Sequence, residues 1–300
     1  MSYQEFVDKV VEGVRTHYGE EVEVSVIPIM KNNNERREAL HIRTSGEGSN
    51  ICPSIYLDGF YQEYLEGVHD LQYYVDIVIN MREECEPDEA IRESAKKLMH
   101  WDSVKDSVYP MLVSQEENDQ FLVNYVNTPF LDLATIYEIR VSEDENGTAS
   151  SKVTYSMLNM YGISREELHQ QALENMKNDG YKMEDIQAAM RRLFSEEVVD
   201  EEFTLEPGKM YVLSNSRKLH GAAGLLYEDF LKEKFGDNTG FIIPSSIHET
   251  LFVPAMEDMN AEELNQMIQQ INEAEVRACE RLSNHCYLWD GEEQTVKLVA

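Results

Sequence analysis

Within Phe241–Pro254, FIIPSSIHETLFVP, a short span holds Ser245, Ser246, His248 and Glu249. A hydroxyl beside an imidazole can be a nucleophile with its base, and an imidazole beside a carboxylate can be half of a metal site. The zinc reading needs a second histidine four residues beyond His248 on one helical face. Position 252 is Phe252, so that reading fails. The nucleophile reading needs a base within reach and a sharp strand-to-helix turn whose backbone N–H groups form an oxyanion hole. No glycine flanks Ser245 or Ser246, and the residues C-terminal to them are β-type sequence. The competing reading is a turn begun by Pro244 and Ser245, with the serine hydroxyls and His248 bonding local backbone. Ser246 and His248 stand as the catalytic candidates, Ser245 and Glu249 as binding candidates.

A second stretch, Ser214–Leu226 (SNSRKLHGAAGLL), reads as strand, polar loop and helix, and adds Asn215 and His220 as binding candidates. Its glycines, Gly221 and Gly224, could present backbone N–H groups to an anion or serve close helix–sheet packing. The spacing is neither GxGxxG nor Walker A. Cys279, His285 and Cys286 match no common zinc spacing, so the cysteines read as small buried hydrophobes. No metal and no cofactor is expected.

The elements that must hold these residues are legible as periodicities. Phe6, Val7, Val10, Val11 and Val14 make one apolar helical face over Tyr3–Tyr18, stopped by Gly19. VEVSVIPI predicts a strand over Val22–Ile29, KNNNERRE a hairpin-like connection, and Ala39–Thr44 the partner strand; SGEGSN is a loop by composition. A helix is predicted from Pro53 and Ser54, another over 71–83, and a third from ECEPDEAIRES. Phe130–Val141 and Ala149–Tyr155 read as strands about a turn, SEDENG. Ser164 and Glu167 form a capping box for REELHQQALENM, and a helix is predicted over Met183–Phe194. The acidic run SEEVVDEEFTLEPG is a solvated connection. Met210–Ser214, Phe241–Ile243 and Thr250–Val253 read as strands, Asn260 and Glu263 as a capping-like start for a helix over 261–274, and CYLWD with TVKLV as a terminal hairpin. Strands in pairs and helices in groups predict an α+β fold, mostly antiparallel sheet with helices packed on it. Two subdomains are expected, 1–120 and 121–300.

Lys and Arg total 26 against 57 Asp and Glu, a formal net charge of −31, and the acidity is spread along the chain. Such a surface repels phosphate backbones and anionic lipid, so no direct nucleic-acid binding and no membrane association are expected. It leaves room for an unknown protein partner, and for imitation of a nucleic acid in a partner's basic groove. MSYQEFVDKV lacks the basic start and apolar run of a secretory signal, and no apolar stretch approaches the roughly 20 residues that span a bilayer. With scattered cysteines, this reads as a cytoplasmic protein with reduced thiols.

The stretches NICPSIYLDGFYQEYLEG, FLDLATIYEIRV, TASSKVTYSMLNMYGISREELHQQALENM, MYVLSNSRKLHGAAGLLY, IIPSSIHETLFVP and LSNHCYLWD together resemble a domain-of-unknown-function family of clostridial gut bacteria. The resemblance covers nearly the whole chain in order. It implies a bacterial cytoplasmic setting and carries over no catalytic residue. Three functions are compatible with the residues: an acidic, non-enzymatic binding or regulatory protein acting through the C-terminal sheet; a hydrolase or transferase with a pocket near Asn215, His220, Ser246 and His248; and a nucleic-acid-mimicking inhibitor of a DNA-binding protein.

Overall fold

The computed structural model describes residues 1–44, 52–84, 93, 96–144, 147–193 and 204–299. The chain is α+β, and among the described residues its strands form three antiparallel sheets. Two compact units are present, Met1–Lys31 with Glu35–Leu98, and Asn32–Asn34 with Met99–Ala300. The division falls after Leu98, so residues 99–120, grouped with the N-terminal half by sequence, lie in the second unit. The reason is pairing: β4 (Val108–Ser114) hydrogen-bonds along β6 (Leu133–Asp144).

In the first unit α1 (Tyr3–Tyr18) opens with a capping box, Ser2 Oγ accepting from Glu5 N and Glu5 Oε2 accepting from Ser2 N. It ends at Gly19, whose φ of 62° favours a residue without a Cβ. Its valine face is buried in one core with β1 (Val22–Met30), β2 (Arg36–Thr44), β3 (Ile55–Tyr56) and α3 (Leu71–Glu84). The helix expected from Pro53 starts later, as α2 (Asp58–Leu65). Ile55 and Tyr56 are instead drawn into the sheet beside Leu40 and Ala39. The SGEGSN loop and most of the ECEPDEAIRES helix lie outside the described residues.

In the second unit β6 is central to a four-stranded sheet, with β4 on one side and β5 (Asn127–Phe130) and β7 (Gly147–Lys152) on the other. The single strand expected over Phe130–Val141 is two strands, broken where Leu131 takes φ 55°. Part of the SEDENG turn lies outside the described residues. α4 (Tyr155–Tyr161) comes next, unforeseen from sequence. α5 (Arg165–Met176) carries the expected Ser164–Glu167 capping box and packs on β4 through Leu168, Ala172 and Met176.

The second sheet of this unit has the order β13-β12-β10-β11-β9-β8. Its strands are β8 (Lys182–Asp185), β9 (Tyr211–Ser214), β10 (Gly240–Ser246), β11 (Glu249–Pro254), β12 (Tyr287–Asp290) and β13 (Thr295–Leu298). The helix expected from Met183 begins only at Ile186, as α6 (Ile186–Leu193), because Lys182–Asp185 pairs with β9. Of the acidic run beyond α6, residues 195–203 lie outside the described residues. α7 (Glu228–Phe235) brings Phe235 against Phe252, ring centroids 4.0 Å apart and nearly parallel. α8 (Ala261–Glu275) starts at Asn260, whose side chain accepts from Glu262 N.

Candidate functional site

β10 and β11 make a hairpin around Ser245–Glu249. Ser245 Oγ donates to Glu249 Oε1 at 3.3 Å, and His248 N donates to Ser246 Oγ at 3.0 Å. Both serines therefore bond within the turn, and Ser246 Oγ faces the backbone of His248 rather than its ring. The hairpin tip is tied to the Ser214–Leu226 segment by Ser214 Oγ donating to His248 O at 2.8 Å and Ala222 N donating to Ile247 O at 3.3 Å.

His220 closes the junction in the left-handed region, φ 54°. Its N–H donates to His248 Nδ1 at 3.2 Å, and the two rings stack with centroids 5.6 Å apart. The next residue has to be glycine. A Cβ on Gly221 would collide with Ser214 Oγ, lie 2.5 Å from His248 O and 2.9 Å from Asn215 N. Here the glycine serves close packing of a 3-10 turn, Gly221–Leu226, on the sheet.

Behind the histidines lies a network that sequence reasoning missed. His220 Nδ1 is 3.1 Å from Glu138 Oε1, a carboxylate on β6 that is 2% exposed. Arg140, two residues along the same strand, grips Asp179 with both terminal nitrogens, at 2.5 and 2.9 Å, and lies over the Tyr109 ring at 3.5 Å. Asn215, fully buried, donates to Asp179 Oδ2 at 2.8 Å and to Leu219 O at 2.9 Å, and accepts from Leu219 N. The available signal was two charges at alternate positions in TIYEIRV, an otherwise apolar strand with no solvent face to take them.

Electrostatics follow from this packing. Burial pushes the Glu138 carboxyl up, but the His220 hydrogen bond and charge, with Arg140 and Lys152, outweigh it and hold it at about 2. Burial and the neighbouring His220 push the His248 imidazole below its ordinary value, against the pull of Glu280. His248 Nδ1 accepts the His220 N–H, which leaves the proton on Nε2, 3.8 Å from Glu280 Oε1. The lone pair that a general base would use is thus already engaged. The site residues named from sequence converge around one hairpin: Ser245, Ser246, His248 and Glu249 form its tip, and Asn215 and His220 belong to the segment tied against that tip.

Ser245 and Glu249 also line a groove of about 260 Å³ on the face of the six-stranded sheet. Its apolar lining comes from Ile186 and Met190 of α6, Val212 of β9 and Leu251 of β11. Cys286 is buried against Phe241 and Ile268, and burial pushes its thiol up. Among the described residues no helix is long and apolar enough to cross a membrane.

No curated protein and no solved structure matches the chain. A family model, described as a family of unknown function, matches residues 3–291, and the chain therefore belongs to the DUF5688 family.

Proposed function

We propose that this is an acidic binding or regulatory protein of the bacterial cytoplasm that engages a basic protein partner through the groove on its C-terminal sheet. The observation that carries the reading is a groove between that sheet and α6, apolar along Ile186, Met190, Val212 and Leu251 and flanked by Lys182, Glu184, Lys218 and Glu249, at whose wall Met190 is 53% exposed. An apolar groove on a chain of net charge −31 suits an apolar anchor side chain carried on a cationic segment. The same charge argues against direct nucleic-acid binding and against an anionic membrane surface. Immobilised protein is expected to capture a basic partner from bacterial lysate, less at higher salt. Met190→Glu should abolish capture without lowering the unfolding temperature. Equal capture by wild type and variant would sink the groove as the docking surface. Release of the partner by excess duplex DNA would support the narrower reading of a nucleic-acid mimic.

The hydrolase or transferase reading centred on Asn215, His220, Ser246 and His248 draws support from their convergence on one hairpin. Against it stands the His248 ring, whose basic nitrogen holds the backbone of His220.

A further inference from the structure

A different histidine in the second unit has the geometry that His248 lacks. Asp132, in the turn between β5 and β6, collects three side-chain donors. Tyr287 OH donates to Oδ1 at 2.8 Å, Ser283 Oγ donates to Oδ2 at 2.8 Å, and His285 Nδ1 lies 3.0 Å from Oδ2. Burial and the Asp132 charge push the Tyr287 phenol well above its ordinary value, so it remains a donor. A carboxylate can only accept, which puts the imidazole proton on Nδ1 and leaves Nε2 of His285 with its lone pair. Ser283 Oγ, by accepting from His285 N at 3.0 Å, fixes the backbone from which the ring projects. Among the described residues Nε2 has no partner.

His285 and Asp132 line a polar cavity of about 160 Å³. Two donors share its wall. Arg281 commits Nε to Val276 O at 3.0 Å and leaves its terminal nitrogens unengaged among the described residues. Asn284 accepts from Asn272 at 2.9 Å through Oδ1, and its Nδ2 is likewise open. The cavity is rigidly framed. Asn33, at φ 58°, donates to Ala278 O at 2.7 Å and Arg281 O at 2.8 Å. A carboxylate-oriented base, a cavity and donors for a developing oxyanion are the parts that water-mediated acyl transfer requires.

We propose that Asp132 and His285 form a general-base site that hydrolyses small uncharged or cationic carboxylic esters. This proposal is independent of the partner-binding groove. In the step, His285 Nε2 takes a proton from water as the water oxygen bonds to the acyl carbon. The carbonyl electron pair moves to its oxygen, which Arg281 or Asn284 holds. When that pair returns, the bond to the alcohol oxygen breaks, and the leaving oxygen takes the proton from Nε2 to give acid and alcohol. Asp132 is a positioning residue. Glu116 and Glu117 on the same wall argue against a phosphoester, since their charge repels a phosphate.

The probe is p-nitrophenyl acetate, whose phenolate leaves as the anion, so that His285 Nε2 releases to solvent the proton it took from water. Wild type is expected to release the phenolate about a hundredfold or more faster than His285→Gln of matched thermal stability, the range for general-base catalysis. Arg281→Ala should retain the base and lose part of the rate. An activity-independent reading comes from long-range 1H–15N NMR of the wild-type protein, where His285 should show the Nδ1–H tautomer, and Asp132→Asn should weaken that preference. Equal rates for wild type and His285→Gln, or an Nε2–H tautomer in the wild type, would overturn the proposal.

Discussion

Gly221 and Glu138 show how much one position can decide around the β10–β11 hairpin. A methyl group at 221 would meet backbone on two sides, His248 O and Asn215 N, as well as the Ser214 hydroxyl. Backbone cannot rotate away as a side chain can, so the added carbon must displace the sheet or the turn. Gly221→Ala should lose about 3 kcal/mol in chemical denaturation, at the upper end for overpacking. Glu138 acts through charge. Its folded pKa, about 2, lies below the ordinary 4.5, with burial opposing and His220, Arg140 and Lys152 prevailing. A carboxylate depressed in this way stabilises the fold fully above about pH 4.5, and that contribution disappears as pH falls towards 2. The shift corresponds to on the order of 3 kcal/mol. Glu138→Gln should be less stable than wild type at neutral pH and show a shallower loss between those pH values, read from denaturation midpoints at a series of pH values.

Elements in this chain succeed or fail by their ends. α5 begins at Ser164 because its hydroxyl accepts from Glu167 N at 3.1 Å while Glu167 Oε2 accepts from Ser164 N at 2.7 Å. Two donors that the helix leaves unsatisfied are thereby paired. α5 also supplies Asn175, whose Nδ2 donates to Lys105 O at 2.6 Å and Val108 O at 2.8 Å where β4 begins. Ser164→Ala should cost about 1 kcal/mol, measurable as a lower unfolding midpoint. The β10–β11 hairpin is specified by its turn in the same way. Ser245 and Ser246 close it on Glu249 and on the His248 backbone, and neighbouring β9 anchors it through Ser214.

At the scale of the molecule, charge is the dominant property. With 57 acidic against 26 basic residues, repulsion among carboxylates outweighs the attraction of exposed pairs such as Lys177–Glu174 and Lys209–Glu206. Screening length falls from about 30 Å at 0.01 M to about 10 Å at 0.1 M ionic strength. The unfolding temperature should therefore rise with sodium chloride over that range, as followed by circular dichroism. A fall would mean that the exposed ion pairs contribute more than the repulsion. The partner groove makes the opposite demand on salt, since an acidic protein holding a basic partner loses affinity as the charges are screened.

Local pattern determined what local physics controls. The valine face of α1, the capping box of α5, the β1–β2 and β12–β13 hairpins and the α+β class are all legible in periodicity, caps and turns, because each is stabilised by residues near in sequence. Ile55–Tyr56 and Met183–Asp185 read as helix for the same reason. Their local pattern allows it, and only the open edges of β2 and β9 draw them into sheets. The sites divide likewise. Asn215, His220 and His248 could be named as residue types near a turn, but tertiary structure alone brought Glu138, Arg140 and Asp179 to them. It also joined Asp132 to His285 across more than 150 residues. Hydrogen-bond partners so distant leave no spacing to read, because sheet pairing and burial decide which charged groups meet.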